Sequence, residues 1–224
     1  MHILAHRGFW KEPAEKNSRA ALERAFVEGF GVETDIRDQN GALVISHDLP
    51  LGNCITFEEL LSLYRRHDPP GPMALNVKAD GLQSLFADAL AKGDICGDDY
   101  FFFDMSIPDA FGYARQDLPI YTRESELEPA PHLLDMAQGI VLDCFRSDWI
   151  VPAKILQHLQ AGRSVMLISP ELHGRDPAQA WAAWRELTDA RLEQPTGARL
   201  MLCTDRPREA KEFFGGADNC SSAI

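Results

Sequence analysis

Short apolar runs recur along the chain and alternate with longer stretches in which apolar residues return every three or four positions. The runs at 3–7, 32–37, 74–78, 100–105, 120–123, 140–145, 165–169 and 200–204 read as buried strands. Stretches 17–30, 57–66, 82–91, 107–114, 151–160 and 178–192 have the amphipathic or Ala/Leu-rich pattern of helices. An additional short strand at 43–47 is expected to pair with the one before it through the turn Asn40-Gly41. Eight strands interleaved with helices favour an α/β fold of the (β/α)8 TIM-barrel type over a doubly wound sheet. The unit between the fifth and sixth strands is weak, because Glu126-Leu127-Glu128-Pro129-Ala130-Pro131 reads as loop. No internal repeat or low-complexity linker interrupts the pattern, so residues 1–224 are expected to form a single domain.

Side chains alternate in direction along a strand. In the second strand Val32, Thr34 and Ile36 share one face, while Glu33, Asp35 and Arg37 share the other. One face suits helices and the other carries charge. The same alternation puts His6, Asn76 with Lys78, Asp104, Arg123 or Glu124, Asp143, Glu171 and Thr204 or Asp205 near strand ends. Nearly all of these are carboxyl ends, where active sites of such barrels collect.

Composition narrows the partners. A net charge of −12 argues against a nucleic-acid or anionic-membrane surface, since both require spread positive charge. An anionic small molecule would need a local positive pocket. Cys54, Cys96, Cys144, Cys203 and Cys220 are scattered, without a C-x-x-C pair, and fit reduced thiols better than disulfides or a zinc site. No apolar run approaches the ~20 residues that span a bilayer, and the first strand starts too early to leave room for a leader. A cytoplasmic protein without stable membrane insertion is expected; its oligomeric state is left open.

The residues that carry chemistry fall in three places. Ala5-His6-Arg7-Gly8 ends the first strand, Glu33-Thr34-Asp35 lies in the second, and His47-Asp48 ends the additional strand. Two histidines, an arginine and a Glu-x-Asp pair supply an acid, a base, an anion clamp and hard oxygen ligands, as metal-assisted attack on a phosphodiester requires. Plainer roles compete for some members. Asn17 is an attractive N-cap for the helix that follows, Asp48 can cap the next segment or orient the imidazole, and Asp205-Arg206-Pro207 reads as a loop and helix start. Phe9, Trp10 and Trp149 are candidates to wall a pocket, although packing is favoured for Trp149.

The order and spacing of these motifs resemble the glycerophosphodiester phosphodiesterases. The hallmark of that family is His-Arg-Gly, then Glu-Asn-Thr, then Glu-x-Asp, then a Val-rich strand ending in His-Asp. The resemblance runs from the first strand to Cys203-Thr204-Asp205-Arg206-Pro207. It implies a (β/α)8 barrel, His6 and His47 as the acid/base pair, Arg7 and Lys78 as phosphate contacts, and Glu33 and Asp35 as ligands of Mg2+ or Ca2+.

Two departures stand out. Lys16-Asn17-Ser18 occupies the place of Glu-Asn-Thr, and Asn76-Val77-Lys78 the place of the Glu-x-Lys whose glutamate is the third metal ligand. An Asn76 oxygen can still coordinate a hard cation, with two formal negative charges instead of three, so affinity is expected to fall. Asp104 is an alternative third carboxylate; Asn17, Glu124 and Glu171 complete the candidate set. The implied reaction is hydrolysis of a phosphodiester whose alcohol carries a neighbouring hydroxyl, most simply a glycerophosphodiester. Two rivals are a phospholipase-type activity, for which the sequence shows no exposed apolar loop of the expected kind, and a phosphate-binding barrel with weak or lost catalysis.

Overall fold

The computed structural model describes residues 1–67, 71–189 and 197–215. Its strands are β1 (His2–His6), β2 (Gly31–Gln39), β3 (Ala42–Ile45), β4 (Met73–Val77), β5 (Tyr100–Phe103), β6 (Tyr121–Ser125), β7 (Gly139–Asp143), β8 (Ser164–Ile168) and β9 (Leu200–Thr204). The helices are α1 (Arg19–Val27), α2 (Phe57–Arg66), α3 (Gln83–Gly93), α4 (Ile107–Ala114), α5 (Pro152–Gln160), α6 (Ala178–Asp189) and α7 (Pro207–Gly215). The expected helix at 178–192 is present as α6 over Ala178–Asp189, and 190–192 lie outside the described residues, as does Cys220. Cys54, Cys96, Cys144 and Cys203 form no disulfide.

Eight strands lie in the order β5-β4-β2-β1-β9-β8-β7-β6 with parallel neighbours, and β3 pairs antiparallel to the outer half of β2. This is the (β/α)8 barrel with one appended strand. The stretch between β6 and β7 contains no helix among the described residues, as its Pro-rich sequence implied. Closure is weakest between β5 and β6, where the ladder is reduced to the bridge Phe102↔Ile120, one residue ahead of β6. Phe101 stacks on Tyr121 across that seam with ring centroids 3.7 Å apart. Gly139 makes room for the Tyr121 ring: a Cβ there would sit 2.4 Å from it.

Strand alternation divides the apolar residues into two layers. Val32, Ile36, Leu75, Phe102, Ile140 and Leu202 pack outward under the helices. Leu4, Ala74, Phe101, Phe103, Val141, Met166, Met201 and Cys203 fill the barrel interior. Above this interior plug, the inward positions at the carboxyl ends become polar, with Glu33, Asp35, Asn76 and Asp143 all buried. Buried polar groups are costly unless partnered, so this layer is where the fold departs from what packing alone would select.

Ser18, not Asn17, caps α1, its Oγ accepting from Ala21 N at 3.2 Å. Asn17 stands one residue earlier in a left-handed conformation (φ 60°), which frees its side chain to turn into the barrel.

Candidate active site

The first motif forms a tight corner at the end of β1. Arg7 (φ 58°) and Gly8 (φ 84°) are both left-handed. A Cβ on Gly8 would lie 2.7 Å from the Ala21 backbone, so glycine is required for space as well as for conformation. The corner leaves His6 on the inner wall and folds the Arg7 side chain back over β2, with Arg7 Nε 2.9 Å from Asp35 Oδ2.

His6 is held from behind. Its Nδ1 lies 2.7 Å from Asp205 Oδ1, which also accepts from Trp10 Nε1 at 3.3 Å, while Lys16 Nζ donates to Asp205 Oδ2 at 3.3 Å. Burial raises the Asp205 carboxyl, but the His6 hydrogen bond and the charges of His6 and Lys16 outweigh it and hold the group below its ordinary value. Lys16, the cation in place of the family's glutamate, is thus part of this support and stacks over Trp10, 4.6 Å from the ring centroid. On the cavity side His6 Nε2 is 3.9 Å from Glu33 Oε2.

Asp35 is the hub of the positive cluster. Arg7 Nε, Lys78 Nζ (3.3 Å) and Asn17 Nδ2 (2.8 Å) converge on its fully buried carboxylate. Thr34 Oγ1, from the opposite face of β2, donates to Asn17 Oδ1 at 2.8 Å and fixes which end of that amide faces Asp35. Glu33, equally buried, has no such cluster. Burial and the neighbouring Asp35 charge raise its carboxyl to about 7, with His6, Arg7 and Lys78 pulling the other way.

The fit of a hard cation is tested by which buried oxygens lack a hydrogen-bond donor. Glu33 Oε2 and Asn76 Oδ1 are of this kind, and Asp35 Oδ1, without a hydrogen bond, has only the Lys78 ammonium at 3.3 Å. They lie on the inward face of adjacent strands, where Asp35 and Asn76 are Cα partners in register. Buried acceptors without donors are rare and require an explanation, and a cation between them supplies one. Among the described residues no three His, Cys, Asp or Glu side chains form a metal-holding group, so the set depends on the Asn76 amide.

Across the barrel mouth lies a second network that the sequence motifs did not signal. Arg123 reaches from β6 to Asp104, through Nε to Oδ1 at 3.0 Å and Nη2 to Oδ2, and to Asp143 Oδ2 through Nη1 at 2.7 Å. Burial opposes its charge, but Asp104 and Asp143 outweigh this and hold the guanidinium above its ordinary value. Asp143 also meets His173 Nε2 at 2.6 Å. His173 follows β8, so the carboxyl-rim rule was the available signal, without a motif to single it out.

His47 arrives differently. It follows β3, outside the barrel wall, half exposed, with Nδ1 2.9 Å from Asp48 Oδ1, so Asp48 orients the ring. Arg37 latches this segment, donating from Nε to His47 O at 3.0 Å and from Nη1 to Lys78 O at 2.8 Å.

His6, Arg7, Glu33, His47, Asn76, Lys78, Asp104, Arg123, Asp143 and His173 line one cavity of about 280 Å³. A neighbouring cavity of about 350 Å³ shares Lys78, Asp104 and Arg123 and is walled by Met105, Ile107, Ala110 and Leu133. Other candidates lie elsewhere. Glu124 points out of the barrel, toward α5, where it meets His158 Nε2 at 3.0 Å and Lys154 Nζ at 2.5 Å. Glu171 clasps the β8 and β9 ends through Ser169, Thr204 and Asp205 N, supporting Asp205 rather than lining the cavity. Trp149 packs against the core and donates to Asp143 O at 2.9 Å. Contrary to the reading from sequence, the rim does expose an apolar loop: Leu49 and Leu51, just past His47, are 75% and 89% exposed.

Fold and site together describe a (β/α)8 barrel with two histidines and a cationic cluster around buried carboxylates at its carboxyl rim. No family model and no curated protein matches the chain. Among solved structures it is similar to a protein assigned as a glycerophosphodiester phosphodiesterase from Galdieria sulphuraria, with a TM-score of 0.73 and 17% identity over 96% of this chain and 97% of that one. An Oleispira antarctica phosphodiesterase in complex with the product sn-glycerol-3-phosphate gives 0.70 and 16% over 96% and 97%. The glycerophosphodiester phosphodiesterase of Agrobacterium tumefaciens gives 0.66 and 18% over 97% and 100%. The chain shares the fold of these proteins over 96–97% of its length. Among the described residues, no helix is long and apolar enough to cross a membrane.

Proposed function

We propose that the protein hydrolyses a small glycerophosphodiester to glycerol phosphate and an alcohol, aided by a divalent cation. The observation that carries this reading is a single cavity holding two histidines, Arg7 and Lys78 beside three buried oxygens that accept no hydrogen bond. The similarity to an enzyme bound to sn-glycerol-3-phosphate supports the substrate class.

Glu33, Asp35 and Asn76 would hold Mg2+ or Ca2+, which when bound polarises a phosphoryl oxygen. Arg7 and Lys78 then exchange part of their pairing with Asp35 for the phosphoryl oxygens, offsetting charge that grows in the transition state. Asp205 keeps the Nδ1 proton on His6, which leaves Nε2 turned toward the cavity to take or give a proton. His47, presented by Asp48 from the other side of the rim, performs the complementary transfer. The apolar wall of Met105, Ile107 and Leu133 would take the leaving alcohol. Hydrolysis of glycerophosphocholine by the purified protein, followed as glycerol phosphate release with and without a chelator, tests the reading. Release that the chelator abolishes and Mg2+ or Ca2+ restores is expected; binding of glycerol phosphate without turnover would favour the phosphate-binding barrel.

A further inference from the structure

We infer that Asp104, clamped by Arg123, is a positioning residue that turns Asn76 into an oxygen ligand. The inference rests on the proposed cation site and concerns how this chain manages with an amide where a third carboxylate would be expected. A terminal amide has two nearly equivalent orientations, and only the one presenting Oδ1 serves a hard cation. Here Nδ2 of Asn76 donates to Asp104 Oδ2 at 3.0 Å. The flipped amide would set two acceptors face to face, so the Asp104 carboxylate selects the orientation that leaves Oδ1 buried, without a donor, on the face of Glu33 and Asp35.

Asp104 is itself immobilised. The fork of Arg123 engages both of its oxygens, and Asp143 anchors the far side of the same guanidinium. Both Asp104 oxygens are therefore occupied by Arg123 and Asn76, which suits an orienting role better than direct ligation. The backbone at Asp104 is left-handed (φ 66°), a conformation uncommon outside glycine that must be compensated by its surroundings. The Arg123 bridge also spans the thin β5–β6 seam, so a purely structural role is the competing account. Orienting partners outside the ligand sphere typically change metal affinity by about 10–100-fold.

Calorimetric titration of the full chain with Mg2+ and with Ca2+ separates these accounts. Asp104→Asn should weaken binding roughly 10-fold. In an Asn76→Ala background the same substitution should change affinity little, because no amide remains to be oriented. Arg123→Gln gives an independent sign. By charge alone, removing a cation beside a cation site strengthens binding, whereas loss of orientation weakens it, and weakening is expected. Thermal melts of each variant establish that it is folded. Additive effects of Asp104→Asn and Asn76→Ala, or tighter binding by folded Arg123→Gln, would overturn the inference while leaving the cation site standing. If the parent protein takes up neither ion at millimolar concentration, the cation reading fails, and the inference with it.

Discussion

His6 Nδ1 sits 2.7 Å from Asp205 Oδ1, a carboxylate supplied by the residue after the last strand of the barrel. The pair joins the two ends of the chain's β-structure and decides which imidazole nitrogen reaches the cavity. Replacing Asp205 by Asn removes the charge that favours the Nδ1-protonated ring. Turnover of a glycerophosphodiester should fall by about 10²-fold or more, with KM little changed, since the proposed phosphate contacts Arg7 and Lys78 are untouched. Steady-state kinetics decide the matter, and a kcat equal to the parent's would remove Asp205 from the mechanism.

The two histidines should also be separable by leaving group. His6→Ala and His47→Ala should each reduce turnover of glycerophosphocholine by roughly 10²–10⁴-fold. A nitrophenyl ester departs without protonation, so it should rescue the variant lacking the acid and leave the other impaired. Equal rescue of both, or of neither, would contradict a division of roles.

Glu33 should show opposed effects on stability and binding. Its carboxyl is buried beside Asp35 with an oxygen that has no donor. Glu33→Gln should therefore stabilise the cation-free protein by about 1–3 kcal/mol, as removal of an unsatisfied buried charge does. The same variant should bind Mg2+ or Ca2+ at least an order of magnitude more weakly. Melting curves recorded with and without the ion test both halves, and unaltered ion dependence would exclude Glu33 as a ligand.

Glu126 offers a prediction about acid stability. Its carboxylate accepts from the backbone of Phe145 (3.1 Å), Arg146 (3.0 Å) and Ser147 (2.9 Å), closing the loop that carries Phe145. Burial is the largest single influence and raises its pKa, but the hydrogen bonds from its own backbone, from the Arg146 and Ser147 backbone and from the Ser147 hydroxyl together outweigh it and lower the group to about 2. A carboxylate depressed in the folded state stabilises the protein above its unfolded pKa, near 4.5, and loses that contribution as pH falls toward 2. Glu126→Gln should thus cost about 1 kcal/mol at neutral pH after allowance for solvent screening, and the difference from the parent should shrink as pH falls below about 4.5 and vanish only below about pH 2. Denaturant melts across that range would show it; a constant difference at all pH values would point to packing instead.

The barrel was legible because each strand is short, apolar and separately bounded, and because alternation in 32–37 distinguished a charged face from an apolar one. Alternation alone did not choose between Arg123 and Glu124, since either can face inward until the register of β6 is known. The register sends Arg123 to the cavity and Glu124 to α5. Asn17 had the composition of a cap, and only the left-handed turn revealed its tether to Asp35. Asp205 and His173 were missed as partners for a common reason. Each pairs across more than 29 positions of chain, and nothing local marks a side chain whose role is set by a distant strand.

The appended strand β3 gives the two histidines different mechanical standing. His6 is riveted into a parallel wall whose geometry is shared by every other strand, so it cannot shift without deforming the barrel. His47 rides on a cantilever, a two-strand tongue rooted in β2 and latched by Arg37. Lengthening or shortening the tongue leaves strand number and tilt untouched. On the proposed reaction, one proton-transfer group would thereby be fixed by architecture, and the other would be free to be re-aimed as the bound alcohol changes in size.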